Sequence, residues 1–205
     1  MGLVKRAATE AAPATAEVPG REELIAALGD PGGDARRRAA LRLAGVPEAR
    51  AALLARVGVE RDAAVRDALL TSLVPDADGD AARALAAHLR SEDAALRNAV
   101  VETLAQIPAT AEIVPTLLGD PDPDVRVLCV MTLTALRHPG VPAWLLHAAL
   151  HDAHPNVVGA AVGELAELGG PEASEHLDAI AARFPEDPFI AFVVDGLRAR
   201  AGDAS

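Results

Sequence analysis

The feature that most constrains this chain is a spacing. Taking Arg126 as zero, a leucine follows seven residues later at Leu133, and the same step recurs at Arg36/Leu43, Arg66/Leu73 and Arg97/Leu104, with weaker copies at Val158/Leu165 and Ile190/Leu197. The anchors at 36, 66, 97, 126, 158 and 190 lie 30, 31, 29, 32 and 32 residues apart. A period of that size marks helical solenoids, whose units bury their apolar faces against one another. Six units follow.

The apolar positions keep the same register. One residue before the anchor come Ala35, Val65, Leu96, Val125, Val157 and Phe189, and three after it come Ala39, Leu69, Val100, Cys129, Ala161 and Val193. Spacings of three, four and seven describe one face of a helix, so these positions predict a core stripe. Twelve residues before the anchor, Leu24, Leu54, Leu85, Val114 and Leu146 predict a first helix in each unit, with Leu177 one position out of step in the sixth. Asp122-Pro123 and Asp187-Pro188 place a side-chain acceptor at an N-cap and proline at the first helical position, and His154-Pro155 is a weaker copy. Gly140-Val141-Pro142 and Gly169-Gly170-Pro171 punctuate the boundaries between units.

These residues resemble the HEAT-repeat proteins, and among them the short bacterial kind called PBS-lyase HEAT-like repeats. The likeness rests on Asp120-Pro121 followed by Asp124-Val125-Arg126, and on Val157 to Leu165 running into Leu168-Gly169. The resemblance implies an all-α, right-handed α-solenoid of about six helical hairpins. It also implies a ladder in which an acid in the turn pairs with the arginine six residues later. Asp30/Arg36, Glu60/Arg66 and Asp120/Arg126 fit that pattern; Arg97 faces Ser91, with Glu92 or Asp93 as substitutes; Asp152 faces Val158. The ladder is therefore expected to stop after unit four, leaving Asp152 without an arginine.

The expected organisation is a disordered tail over 1–20, a solenoid over 21–200 with units near 21–44, 47–74, 79–107, 110–136, 141–168 and 171–200, and a short tail over 201–205. The tail is rich in Ala, Thr, Glu and Pro, although its Met1-Gly2-Leu3-Val4-Lys5-Arg6 head has the makings of a docking peptide. A formal charge of −11, from 19 Lys plus Arg against 30 Asp plus Glu, opposes nonspecific association with nucleic acid. No apolar run reaches the ~20 residues of a membrane span, and no secretory leader is evident. The lone Cys129 sits on a core position, so a cytoplasmic setting is expected.

Candidate contact residues come from the outward positions of the second helices. Arg37, Arg38 and Arg42 form the densest basic cluster, read either as a solvated face or as a grip on an acidic segment. Units two and three carry Asp67, Thr71, Asn98 and Glu102 at equivalent places, an ordinary polar surface. In unit four these become Val127, Leu128 and Met131, which are either a contact patch or residues covered by neighbouring units. Gly159 and Gly163 in unit five allow either close approach of a partner or tight packing on the next helix, and Phe192 lies near the groove edge. Pro115 is expected to bend the first helix of unit four.

His147, His151 and His154 with Asp152 permit a small metal site to be drawn, but no catalytic glutamate accompanies them and no metal is expected. The di-iron hydroxylases of this repeat class carry His-Glu pairs; here only Glu175-His176 occurs, in reverse order. The function expected is a non-catalytic adaptor that holds a helix or extended segment of another protein in a groove lined by the second helices, without a cofactor. The alternative, from the resemblance, is a tetrapyrrole-handling lyase or chromophore chaperone using the same groove.

Overall fold

The computed structural model describes residues 19–168 and 176–203. The expected tail up to residue 18, the Gly169-Gly170-Pro171 boundary and residues 204–205 lie outside them. The described residues form twelve α-helices. These are α1 (Arg21–Ala27), α2 (Gly33–Arg42), α3 (Arg50–Val57), α4 (Ala63–Leu73), α5 (Gly79–Ala86), α6 (Ala94–Gln106), α7 (Val114–Leu118), α8 (Pro123–Ala135), α9 (Val141–His151), α10 (Pro155–Glu167), α11 (Leu177–Arg183) and α12 (Pro188–Asp203). Odd helices pack on the even helix that follows, and α2, α4, α6, α8, α10 and α12 pack on one another in chain order. That is a short all-α solenoid of six hairpins. The last helix runs through Asp203, past the boundary expected at 200.

The second helices follow the spacing closely. Val65, Leu96, Val125 and Val157, then Leu69, Val100, Cys129 and Ala161, then Leu73, Leu104, Leu133 and Leu165 are all buried in one continuous core. Their starts follow the turn chemistry: Asp62 and Asp93 each accept two backbone N–H groups as N-caps, as Asp78 does for the first helix α5. Asp122 accepts the Asp124 N–H ahead of Pro123, and Asp187 accepts those of Phe189 and Ile190. Such caps satisfy donors that the helix itself leaves unpaired. After α2 the chain turns through Gly45 at φ 68°, a conformation open to glycine without strain.

Three expectations change with the structure. In the first helices Leu85 and Val114 are buried as expected, but in α3 and α9 the buried leucines are Leu53 and Leu145, one position before Leu54 and Leu146, which are half-buried. Short 3-10 turns at Pro47–Ala49, Ala87–Arg90 and Pro108–Glu112 interrupt this layer. Pro115 does not bend a helix, because it sits in the first turn of the five-residue α7, where its missing N–H costs nothing. In unit six the buried face moves by one residue: Ile190 and Val194 are buried, while Phe189 is 44% exposed.

Candidate functional site

Two surfaces carry the singled-out residues: the edge formed by the turns within each hairpin, and the outward face of the second helices. The edge holds the ladder, with a pairing different from the one expected. Arg36 donates through Nη1 to the carbonyls of Asp30 and Pro31, at 2.9 and 3.0 Å, but its carboxylate partner is Glu60 of the next unit, bound through Nε and Nη2 at 2.8 and 2.9 Å. Arg66 likewise reaches the Glu60 carbonyl and the carboxylate of Asp93, each at 2.8 Å. Arg126 donates to the Asp120 carbonyl at 2.7 Å and grips both oxygens of Asp152 at 2.7 and 3.0 Å. The arginine thus pins its own turn through a carbonyl and the following unit through a carboxylate.

This corrects the expected Asp30/Arg36, Glu60/Arg66 and Asp120/Arg126 carboxylate pairs. Arg97 keeps the carbonyl bond, to Ser91 at 2.6 Å, while Asp120, the acid next in line, is taken by Arg90 at 2.5 Å. Arg183 closes the contact between units five and six from the other side, donating to the carbonyls of Ala149 and Asp152. Every neighbouring pair of units is therefore bridged by a guanidinium.

Glu60 is the most enclosed of these groups, only 3% exposed, and it also accepts from Arg56 and from the Arg61 and Asp62 N–H groups. The Arg36 hydrogen bond outweighs burial, and with the backbone donor and Arg56 it holds the Glu60 carboxyl down at about 2. At Asp152 burial pushes upward, and the bonds from Arg126 and the His154 N–H overcome it, leaving the carboxyl below its ordinary range.

Asp152 is therefore not the unpaired acid expected from the loss of an arginine at 158. Beside it a cleft of about 290 Å³ is lined by Asp120, Arg126, His147 and His151. The His147 and His151 rings stand 4.9 Å apart, and His154 caps α10 by accepting the Asn156 N–H at its Nδ1. With Asp152 held by Arg126 and His154 by the cap, two of the four candidate ligands are already engaged. Among the described residues no group of three His, Cys, Asp or Glu side chains is placed to hold a metal. Burial pushes the Cys129 thiol up to about 12, which keeps it protonated in the core.

On the second-helix face Arg37, Arg38 and Arg42 are exposed on α2. Further along, α6, α8 and α10 enclose a depression of about 670 Å³ whose floor is Val101, Ala105, Met131 and Ala135, with Asn98, Glu102, Gln106, Thr134 and Glu164 around it. Met131 is 45% exposed there. Its register equivalents in units two and three are Thr71 and Glu102, while unit one has the exposed Leu41 there, outside the depression.

The other apolar candidates divide. Leu128 is only 9% exposed and Val127 is half-buried against the core, so Leu128 belongs to the packing and not to the outward surface. Phe192 is 76% exposed on α12 and does not line the depression. The two glycines also differ. A Cβ on Gly159 would meet Phe189 Cε1 at 2.2 Å, so Gly159 is the seat of a ring from the next unit and is buried. A Cβ on Gly163 would meet nothing within 4 Å. Close approach from outside is available at Gly163 alone.

Several residues went unnoticed in the sequence. Ser72, Thr103 and Thr132 stand six residues after their anchors, are buried, and donate to the carbonyls of Ala68, Ala99 and Leu128 one turn back. Such back-bonds bend helices slightly. Glu164 has the same register in unit five but is half-buried at the depression. The signal was present as a column of hydroxyls broken by one acid.

No curated protein matches the chain. Residues 110–191, which hold the Arg126–Asp152 rung, Met131 and Ala135 of the depression's floor and the Gly159 seat, match the family of HEAT repeats, so a HEAT-repeat region is present in this protein.

Proposed function

We propose that the protein is a non-catalytic, cytoplasmic scaffold that seats a segment of another protein against the faces of α6, α8 and α10. The observation that carries this reading is the exposed Met131 over an apolar floor of Val101, Ala105 and Ala135. Isolated apolar residues on a surface need no explanation, but a large one set in an apolar depression with a polar surround is the usual anatomy of a binding site. Methionine suits the task because its unbranched, polarizable side chain adapts to a partner's shape. HEAT-like solenoids as a class often serve protein–protein interaction, which agrees with this reading at the level of fold. The finer kinship, with PBS-lyase HEAT-like repeats, belongs to the same proposal and rests on Asp120-Pro121 and Asp124-Val125-Arg126.

The test is affinity capture with wild type and Met131→Asp, paired with thermal melts. A carboxylate in the apolar floor is expected to abolish capture while leaving the melting temperature within a degree or two, since half of this side chain already meets water. Loss of folding in the variant would show that Met131 is a core residue and end the reading. A pigment recovered in place of a protein would move the function to the tetrapyrrole-handling class.

A further inference from the structure

The charges around the depression describe what fits it. Helices α4, α6, α8 and α10 carry three cations, Arg66, Arg97 and Arg126, and all three reach back to carbonyls on the turn edge, those of Glu60, Ser91 and Asp120. The outward faces of the same helices carry Asp67, Glu102 and Glu164, none of which makes an ion pair among the described residues. Glu102 and Glu164 stand at the depression itself, with Met131 between them in the stack. Glu164 is the more telling of the two. It replaces the buried hydroxyl that Ser72, Thr103 and Thr132 supply at this register, and it holds a half-buried carboxylate at the depression with no ion pair among the described residues, the exposed Arg137 lying beyond Ala135 in the adjoining hollow. An acid set half out of water gains most from a cation brought to it, because the field between them is less screened there than in bulk solvent.

We propose that the occupant of the depression is a cationic amphipathic helix of another protein. Its apolar stripe lies on Val101, Ala105, Met131 and Ala135, and its Lys or Arg side chains pair with Glu102 and Glu164. This specifies the partner's chemistry and rests on the scaffold reading above. A helix is the form that fits because the face is built of helices and offers no strand edge, so an extended segment would leave its backbone N–H and C=O groups without partners. A helix brings those bonds satisfied and presents side chains alone. The exposed Arg37, Arg38 and Arg42 on α2, at the far end of the same face, give it a polarity: the helix lies with its cations over α6–α10 and any acidic end toward α2. The formal charge of −11 adds long-range attraction for such a partner.

The test uses two labelled synthetic helices of about 18 residues with the same leucine stripe, one flanked by lysines and one by glutamates. Their affinities for the intact protein are read by fluorescence anisotropy at about 0.05 M and about 0.3 M salt. The lysine peptide is expected to bind at least ~10-fold more tightly than the glutamate peptide, and to lose most of that margin at the higher salt. The double variant Glu102→Gln/Glu164→Gln is expected to remove the margin without moving the melting temperature. If both peptides bind equally and both are lost in Met131→Asp, the cationic assignment is wrong and the scaffold site stands. If neither binds, or binding ignores Met131→Asp, both fail.

Discussion

Along the turn edge, Glu60, Asp93, Asp120 and Asp152 each take a guanidinium from the neighbouring unit; on the second-helix face, Asp67, Glu102 and Glu164 take none among the described residues. The same residue types sit within one short solenoid and meet opposite fates. The edge carboxylates are joined by backbone donors as well as by arginine, so each is locked by several bonds at once. The face carboxylates stand on helix surfaces whose arginines all point elsewhere. Paired charges hold the units in line; the unpaired ones do not.

The largest effect that could break this contrast is at Glu60. Glu60→Gln leaves Arg36 and Arg56 facing a neutral amide in a nearly closed site, and an expected loss on the order of 3 kcal/mol would show in the urea midpoint. Glu102→Gln should stay within about 0.5 kcal/mol of wild type in the same measurement. Equal effects at the two positions would dissolve the distinction.

Acid tests the same site by another route. The folded carboxyl of Glu60 lies at about 2, below its value of roughly 4.3 in an unfolded chain, so its contribution is complete above the higher value and falls away as pH drops toward the lower. Denaturant midpoints measured between about pH 5 and pH 2 should decline with that profile in wild type and more shallowly in Glu60→Gln.

The smallest expected effects sharpen the contrast between packed and open positions on one helix. Gly163→Ala should stabilise by up to about 1 kcal/mol, since alanine is the better helix former and the space is empty. Gly159→Ala should lose about 1 kcal/mol, because the added methyl displaces Phe189 from its seat. Thermal melts of both variants decide it, and matching signs would mean that Phe189 is not seated there.

The second-helix layer was legible in the sequence because its arginine, its apolar stripe and its cap recur together, each reinforcing the others' register. The first-helix layer was less so: Leu85 and Val114 are buried at the fixed spacing, whereas in α3 and α9 the buried leucine falls one position earlier, at Leu53 and Leu145 in place of Leu54 and Leu146. The rungs were half legible. Arginine and acid were identified, but Arg36 meets Glu60 across 24 residues of chain, and a same-turn distance of six residues suggested the wrong partner. At the depression Met131 stood out as an apolar residue among polar ones, whereas Glu164 did not, because its meaning depends on the buried hydroxyls it replaces. Leu128 and Gly159 were ambiguous for one reason: whether an outward position stays open depends on the neighbouring unit.

The bridging arginines also set how the molecule comes apart. Each bond joins a unit only to its neighbour, so cooperativity passes along the stack link by link, as in a one-dimensional chain of coupled elements. The polar links are unequal: Arg36 and Arg126 grip carboxylates with two nitrogens each, whereas unit six, beside its core residues Ile180, Ile190 and Val194, is tied through Arg183 to neutral carbonyls. Fraying is therefore expected at the unit-six end before the Arg126–Asp152 link gives way, which hydrogen exchange of α12 against α8 would show.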